Sequence, residues 1–187
     1  MRVVAGQLRG RRLISAAGKT RPTMARARAG LFDWLGTVVM GARVLDLYAG
    51  SGALGIEALS RGALDAVFVE RARPALKALG RNLDELGLRD QAAVVAVDVD
   101  RALASLARDG RRFDLVLADP PYGGDWLERP ATAASVVNLL PAEGVFVAER
   151  SRREAPGKSA PGLVLRETRS YGETAFDWYE KSGDVSQ

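Results

Sequence analysis

With 187 residues, the chain has the length of one compact domain carrying a small extension, and its 47% apolar and 27% charged residues are ordinary for a globular protein. It contains no His and no Cys. That excludes disulfides, thiolate or imidazole metal sites, iron–sulfur clusters, and catalysis by Ser-His-Asp or Cys-His groups.

The net charge of +4 is unevenly spread. No acid precedes Asp33, and Arg2, Arg9, Arg11, Arg12, Lys19, Arg21, Arg26 and Arg28 give that stretch +8, leaving −4 for the remainder. A basic arm on a mildly acidic body points to a polyanionic partner, most simply nucleic acid. No apolar run reaches the roughly 20 residues that cross a bilayer, and residues 1–6 lack the apolar stretch of a signal peptide. The expected location is the cytoplasm, with no metal and no membrane partner.

In chain order, residues 2–14 read as a short β-hairpin, Arg2-Val3-Val4-Ala5 and Arg11-Arg12-Leu13-Ile14 flanking Gly6 and Gly10. Arg21-Pro22-Thr23 opens a helix whose apolar positions Ala27, Leu31, Trp34 and Leu35 recur at helical spacing. From residue 43 strands and helices alternate. The expected strands are 44–47, 66–69, 93–97, 115–118 and 145–148, and the expected helices are 53–61, 74–86, about 100–109 and about 126–140. The second of these helices has Pro74 near its start, Gly87 just past its end, and Leu76, Leu79, Leu83 and Leu86 as its apolar stripe.

Continuous apolar strands alternating with helices indicate an α/β doubly wound Rossmann-like sheet, mostly parallel and covered on both faces. After a Pro- and Gly-containing loop at 151–162, the segments 163–168 and 174–179 resemble an antiparallel hairpin. The expected organisation is a basic extension over 1–40 and a catalytic domain over 41–187, with no feature that demands more than a monomer.

Ligands of such sheets bind beyond the carboxyl ends of the strands, where the strand order reverses. After the first strand comes Asp46-Leu47-Tyr48-Ala49-Gly50-Ser51-Gly52-Ala53-Leu54-Gly55, a glycine turn that lets a ligand approach the backbone. A nicotinamide dinucleotide would fit Gly50, Gly52 and Gly55, but the Asp46 carboxylate would repel its phosphates. A sulfonium cofactor carrying an ammonium group favours an acid there. Glu70 ends the second strand, where a carboxylate can accept from ribose hydroxyls. Asp98 follows the third strand, placed to accept from an adenine amino group with the Val99 amide meeting the ring. Asp100 competes with it for that role.

Asp119-Pro120-Pro121-Tyr122 follows the fourth strand. The two prolines fix the backbone, so the Asp119 side chain and the Pro120 carbonyl can face one NH₂ group as acceptors. The lone pair of an exocyclic base amine is delocalised into its ring. Two acceptors holding its protons favour a pyramidal nitrogen and stabilise the charge that develops on methyl transfer. Tyr122 offers a flat face for stacking.

The glycine turn and Asp119–Tyr122, with Arg2–Gly6, Leu8–Arg11, Arg21-Pro22-Thr23, Arg26 and Arg28, and Tyr171-Gly172-Glu173-Thr174, resemble the RsmD family of ribosomal RNA guanine methyltransferases over nearly the whole chain. The resemblance implies S-adenosylmethionine as cofactor and the 2-amino group of one guanine in 16S ribosomal RNA of an assembled small subunit as target. It assigns Thr23, Asp46, Tyr48, Ala49, Gly50, Ser51, Gly52, Glu70, Asp98, Val99 and Asp119 to the cofactor and Asp119 to Tyr122 to the base. It places Thr23 and Arg28 near the active-site mouth, and Arg2, Arg9, Arg11, Arg12, Arg21, Arg26 and Arg28 on RNA. Ala25 and Ala29 stand where the family often carries acids, which frees Arg26 and Arg28 for phosphate. The residues alone also admit another amino target, in adenine or a protein amide, a nicotinamide oxidoreductase, or a non-catalytic RNA-binding module.

Overall fold

The computed structural model describes residues 1–15, 22–120 and 130–182. Seven strands form one sheet: β1 (Arg43–Leu47), β2 (Asp65–Val69), β3 (Ala92–Val95), β4 (Leu115–Ala118), β5 (Val145–Ser151), β6 (Leu163–Tyr171) and β7 (Thr174–Lys181). Their order is β3-β2-β1-β4-β5-β7-β6. The first five are parallel, and β7 runs antiparallel between β5 and β6. The strand order therefore reverses between β1 and β4, which is where a ligand crevice opens.

Helices α1 (Pro22–Leu35), α2 (Ala53–Ser60), α3 (Arg73–Leu86), α4 (Val99–Arg108) and α5 (Pro130–Leu139) cover the sheet. Strand residues alternate between the two faces, as the pleat requires. Val44, Phe68, Leu115 and Val147 pack with α1, α2 and α3, while Leu45, Val67, Val116 and Phe146 pack with α4 and α5. Asp46 lies between Leu45 and Leu47, both on the α4/α5 side, so its side chain projects to the α2/α3 side and lies under the first turn of α2.

The N-terminal hairpin forms as expected: Arg2 bridges Arg12 antiparallel, backbone hydrogen bonds link Val3 to Arg11 and Leu13 to Met1, and the chain turns at Gly6 (φ 79°) and Gly10 (φ 82°), whereas two other expectations need correction. The hairpin's Val3 and Leu13 join the core beneath α1 and α2, so the basic segment shares its apolar core with the sheet. The third strand stops at Val95 and forms a sheet edge with Ala93 and Val94 exposed, where an apolar run had suggested burial. Finally, the stripe of α3 carries a fully buried Asn82 between Leu79 and Leu83.

Candidate active site

The loop after β1 is bent by three positive φ values, at Tyr48 (58°), Gly50 (57°) and Gly52 (83°). For an aromatic residue the left-handed region costs on the order of 1–3 kcal/mol, a strain that neighbouring contacts must hold. The Ala49 amide donates to Val69 O (2.9 Å) and the Gly52 amide to Ala49 O (2.7 Å). Asn82 of α3 donates to Ser51 O (2.8 Å). A Cβ at Gly50 would meet only Tyr48 O, at 4.0 Å, so open space lies over this residue. A Cβ at Gly55 would collide with the Phe68 ring and lie 3.1 Å from Asp46 Oδ2, so Gly55 serves the packing of α2 on the sheet.

Five carboxylates, Asp46, Glu70, Asp98, Asp119 and Glu149, lie toward the carboxyl ends of the parallel strands. Asp46 is 1% exposed, and its Oδ2 accepts from the Gly55 amide (2.9 Å). Burial pushes its acid up to about 7; the Gly55 amide opposes the shift, and the charges of Asp119 and Glu70 add to it. Asp46 thus fixes the turn from beneath. Glu70 Oε2 accepts from Gly50 N (2.8 Å), and its Oε1 accepts from Arg71 N (2.8 Å) and Ala72 N (2.7 Å). A carboxylate offers about four lone-pair positions, so one acceptor position remains for a ribose hydroxyl.

Asp98 caps α4, its Oδ1 accepting from Arg101 N (3.0 Å). The Val99 side chain is buried in the core, so only its backbone can face a ligand. Asp119 follows β4 beside the glycine turn, its amide donating to Leu47 O (3.3 Å). Burial raises its acid to about 6. Pro120 is next to it and half-buried, while Pro121, Tyr122 and Arg21 lie outside the described residues, as does the side chain of Thr23.

Beside Asp119 is a cavity of about 50 Å³, with Met1, Met24, Ala27, Leu54 and Phe176 as apolar wall and Arg28, Asp119 and Glu149 as its charged groups. Arg28 corrects the sequence reading. It is 4% exposed and not open to phosphate. Its guanidinium donates to Arg2 O (2.5 Å) and to Met1 Sδ (3.2 Å), and its Nε lies 3.4 Å from Glu57 Oε2, an ion pair without a hydrogen bond at Nε. Burial lowers its affinity for a proton and the Glu57 charge restores part of it. The acid missing from α1 at Ala25 and Ala29 is thus supplied by α2. Arg2, Arg9, Arg11, Arg12 and Arg26 remain exposed, although Arg11 also donates to Glu85 O (2.7 Å) and Arg2 to Gly10 O (2.7 Å).

Three residues that join the basic segment to the site were not apparent in the sequence. Glu57 accepts from Val4 N (2.8 Å), Ala5 N (2.9 Å) and Arg61 Nε (3.0 Å). Ser60 accepts from Leu8 N (3.0 Å) and donates to Ala5 O (2.5 Å). Asn82 exchanges bonds with both the amide and the carbonyl of Ile14 while it holds Ser51. The signal available was a polar side chain on an otherwise apolar helix face. Glu149, on β5 in the cavity with Asp119, was also missed.

The arrangement suits a ligand with cationic and hydroxyl groups better than a dinucleotide, because the acids at the crevice would oppose two phosphates. Among known proteins, YlbH of Bacillus subtilis (strain 168) is 38% identical over 184 residues, covering 98% of this chain and 100% of that one. Ribosomal RNA small subunit methyltransferase D of Escherichia coli (strain K12) is 34% identical, covering 97% of this chain and 90% of that one. The solved structure of the Thermus thermophilus protein TTHA0928 superimposes with a TM-score of 0.81 at 34% identity, over 96% of this chain and 99% of that one. The family model described as conserved hypothetical protein 95 matches residues 1–180, and with it the chain belongs to the RsmD family.

Proposed function

We propose that the protein transfers a methyl group from S-adenosylmethionine to the 2-amino group of a guanine in 16S ribosomal RNA of the small subunit. The carrying observation is Asp119: a carboxylate with its acid raised to about 6, at the strand-order reversal, one residue before Pro120 and beside the glycine turn. Membership of the RsmD family and the name of the Escherichia coli relative support ribosomal RNA of the small subunit as substrate.

The strand-end donor set fits the cofactor. Glu70 takes the ribose, Asp98 and the Val99 amide take the adenine, and the Tyr48–Gly52 turn, fixed by Asp46 and Asn82, meets the methionine part. When bound, S-adenosylmethionine supplies an electrophilic methyl on a positive sulfur. Asp119 and the Pro120 carbonyl accept the two protons of the target amine and localise its lone pair, while Tyr122 stacks on the base. The bound cofactor would supply the methyl to the nitrogen and keep the electron pair of the broken carbon–sulfur bond, and Asp119 would take the amine proton. In-line positioning supplies much of the rate.

The 1–40 extension carries exposed Arg2, Arg9, Arg11, Arg12 and Arg26 to the RNA backbone, with Arg21 as a further candidate for contact and Thr23 as a candidate for the cofactor. We place the protein in the cytoplasm as a monomer. Radiolabelled methyl transfer to small subunits lacking the modification, with naked 16S RNA and Asp119→Ala alongside, tests the reading. Label on a guanine, lost in the variant, is the expected result. Label on adenine or on a protein amide would replace guanine as target, and no label on RNA despite cofactor binding would refute the RNA substrate.

A further inference from the structure

The β4–β5 register pairs Ala118 with Ala148, so one residue further on Asp119, just past the end of β4, stands beside Glu149, which is still within β5. Both line the cavity that Arg28 closes. The groups that face Glu149 can be named element by element. Strand β4 leads to the Asp119 carboxylate, α1 brings the Arg28 guanidinium, and β7 brings the Thr174 hydroxyl, which hydrogen-bonds Glu149. The rest of the wall is apolar. The only cation among these groups is already paired with Glu57. Two carboxylates in such a wall cannot both ionise cheaply, and they titrate as a pair.

We propose that Glu149 is part of the acceptor site: around neutral pH it and Asp119 share one proton, and the neutral Glu149 carboxyl hydrogen-bonds the ring edge of the guanine beside the amine that Asp119 holds. The inference rests on guanine being the target. In this arrangement the Glu149 O–H donates to the Asp119 carboxylate, a charge-assisted bond that keeps Asp119 the ionised member. The Glu149 carbonyl then accepts from guanine N1–H. Adenine has a bare acceptor at its ring N1, so this contact discriminates between the two purines.

Burial first, and then the Asp119 charge, push Glu149 up to about 8, against the Thr174 bond and the Arg28 charge, and burial pushes Asp119 up to about 6. The pair therefore carries a single negative charge between those values.

The test combines two measurements on the full chain. Carboxyl-carbon NMR titration of the free protein reads the shared proton without substrate. Methyl transfer to unmodified small subunits, as a pH profile with kcat and KM separated, reads its use.

Two coupled steps near 6 and 8, with the upper lost in Glu149→Gln, are expected in the titration. In the profile, wild-type activity falls above about pH 8. Glu149→Leu lowers kcat/KM by about tenfold or more, and Glu149→Gln, which keeps a donor and an acceptor, recovers most of that loss with the alkaline fall removed. A merely structural Glu149 would leave the alkaline fall in place in Glu149→Gln.

That result, or a Glu149 that titrates in the ordinary carboxylate range, overturns the proposal. If wild-type protein labels no guanine at all, the functional reading and the ring-edge contact fail together, and the NMR titration alone then decides the shared proton.

Discussion

Glu57 is where the basic segment is fastened to the catalytic sheet, and its removal is the most informative single perturbation. Its side chain is fully buried and satisfies the amides of Val4 and Ala5, the Nε of Arg61, and the charge of Arg28. Glu57→Ala leaves Arg28 buried without its paired counter-charge, with the Glu149 charge acting only from across the cavity, and leaves two backbone donors without acceptors. Loss of one partner from a buried pair costs about 3–5 kcal/mol. That is a large part of the roughly 5–15 kcal/mol by which a domain is stable. For a chain of this size each kcal/mol moves Tm by about 2–4 °C, so a fall on the order of 10 °C follows. Glu57→Gln keeps one acceptor oxygen and costs about 1–3 kcal/mol. Urea unfolding followed by circular dichroism gives both numbers. An alanine variant within about 1 kcal/mol of wild type would mean that water replaces these contacts, and the docking argument would be wrong.

Asp46→Asn keeps an acceptor for the Gly55 amide and removes a buried charge. Because the folded Asp46 acid is raised to about 7, its stabilising contribution is complete below the ordinary carboxylate range and is lost as pH rises through 7. The variant is therefore more stable than wild type at pH 8, by about 1–3 kcal/mol, and equal to it near pH 4; urea midpoints that show the same gap at both pH values would contradict this. Gly55→Ala drives a Cβ into the Phe68 ring, costing about 1–3 kcal/mol and weakening cofactor binding, which thermal unfolding with and without cofactor reads. Alanine at Arg9, Arg12 and Arg26 together flattens the dependence of RNA binding on salt by up to about three phosphate contacts without changing cofactor affinity; an unchanged slope in filter binding would remove these residues from the interface.

How far the fold could be read from the chain depended on the range of the interactions. The runs 44–47, 66–69 and 115–118 announced themselves because a strand buried on both faces is apolar throughout. The same rule misjudged 93–97, because an edge strand can be as apolar in sequence as a central one. Asp46, Glu70 and Asp119 were legible because strand ends at an order reversal are where chemistry collects. Arg28 was not, since an arginine in a basic run reads as surface until its partner is known, and that partner, Glu57, lies on a different helix. Asn82, Ser60 and Glu57 bind backbone 52 to 68 positions away, a distance that no periodicity reports. Glu149 escaped because its significance comes from the β4–β5 register, which pairing alone establishes.

The crowding of acids at one end of the sheet has a consequence for cofactor binding itself. Asp46 is raised by burial first, and then by the charges of Asp119 and Glu70, so at pH 7 it is about half protonated before anything binds. A sulfonium and an ammonium brought to the same strand ends favour its ionised form. Binding must then expel part of that proton, roughly half an equivalent near pH 7, and less at pH 9, where the group is already ionised. Calorimetric titration of S-adenosylmethionine in buffers of different ionisation enthalpy measures this directly. An observed enthalpy that varies with the buffer at pH 7, and no longer at pH 9, is the expected outcome. A buffer-independent enthalpy at pH 7 would mean that the positive groups of the cofactor do not sense Asp46, and the acid would then be no more than a brace for Gly55.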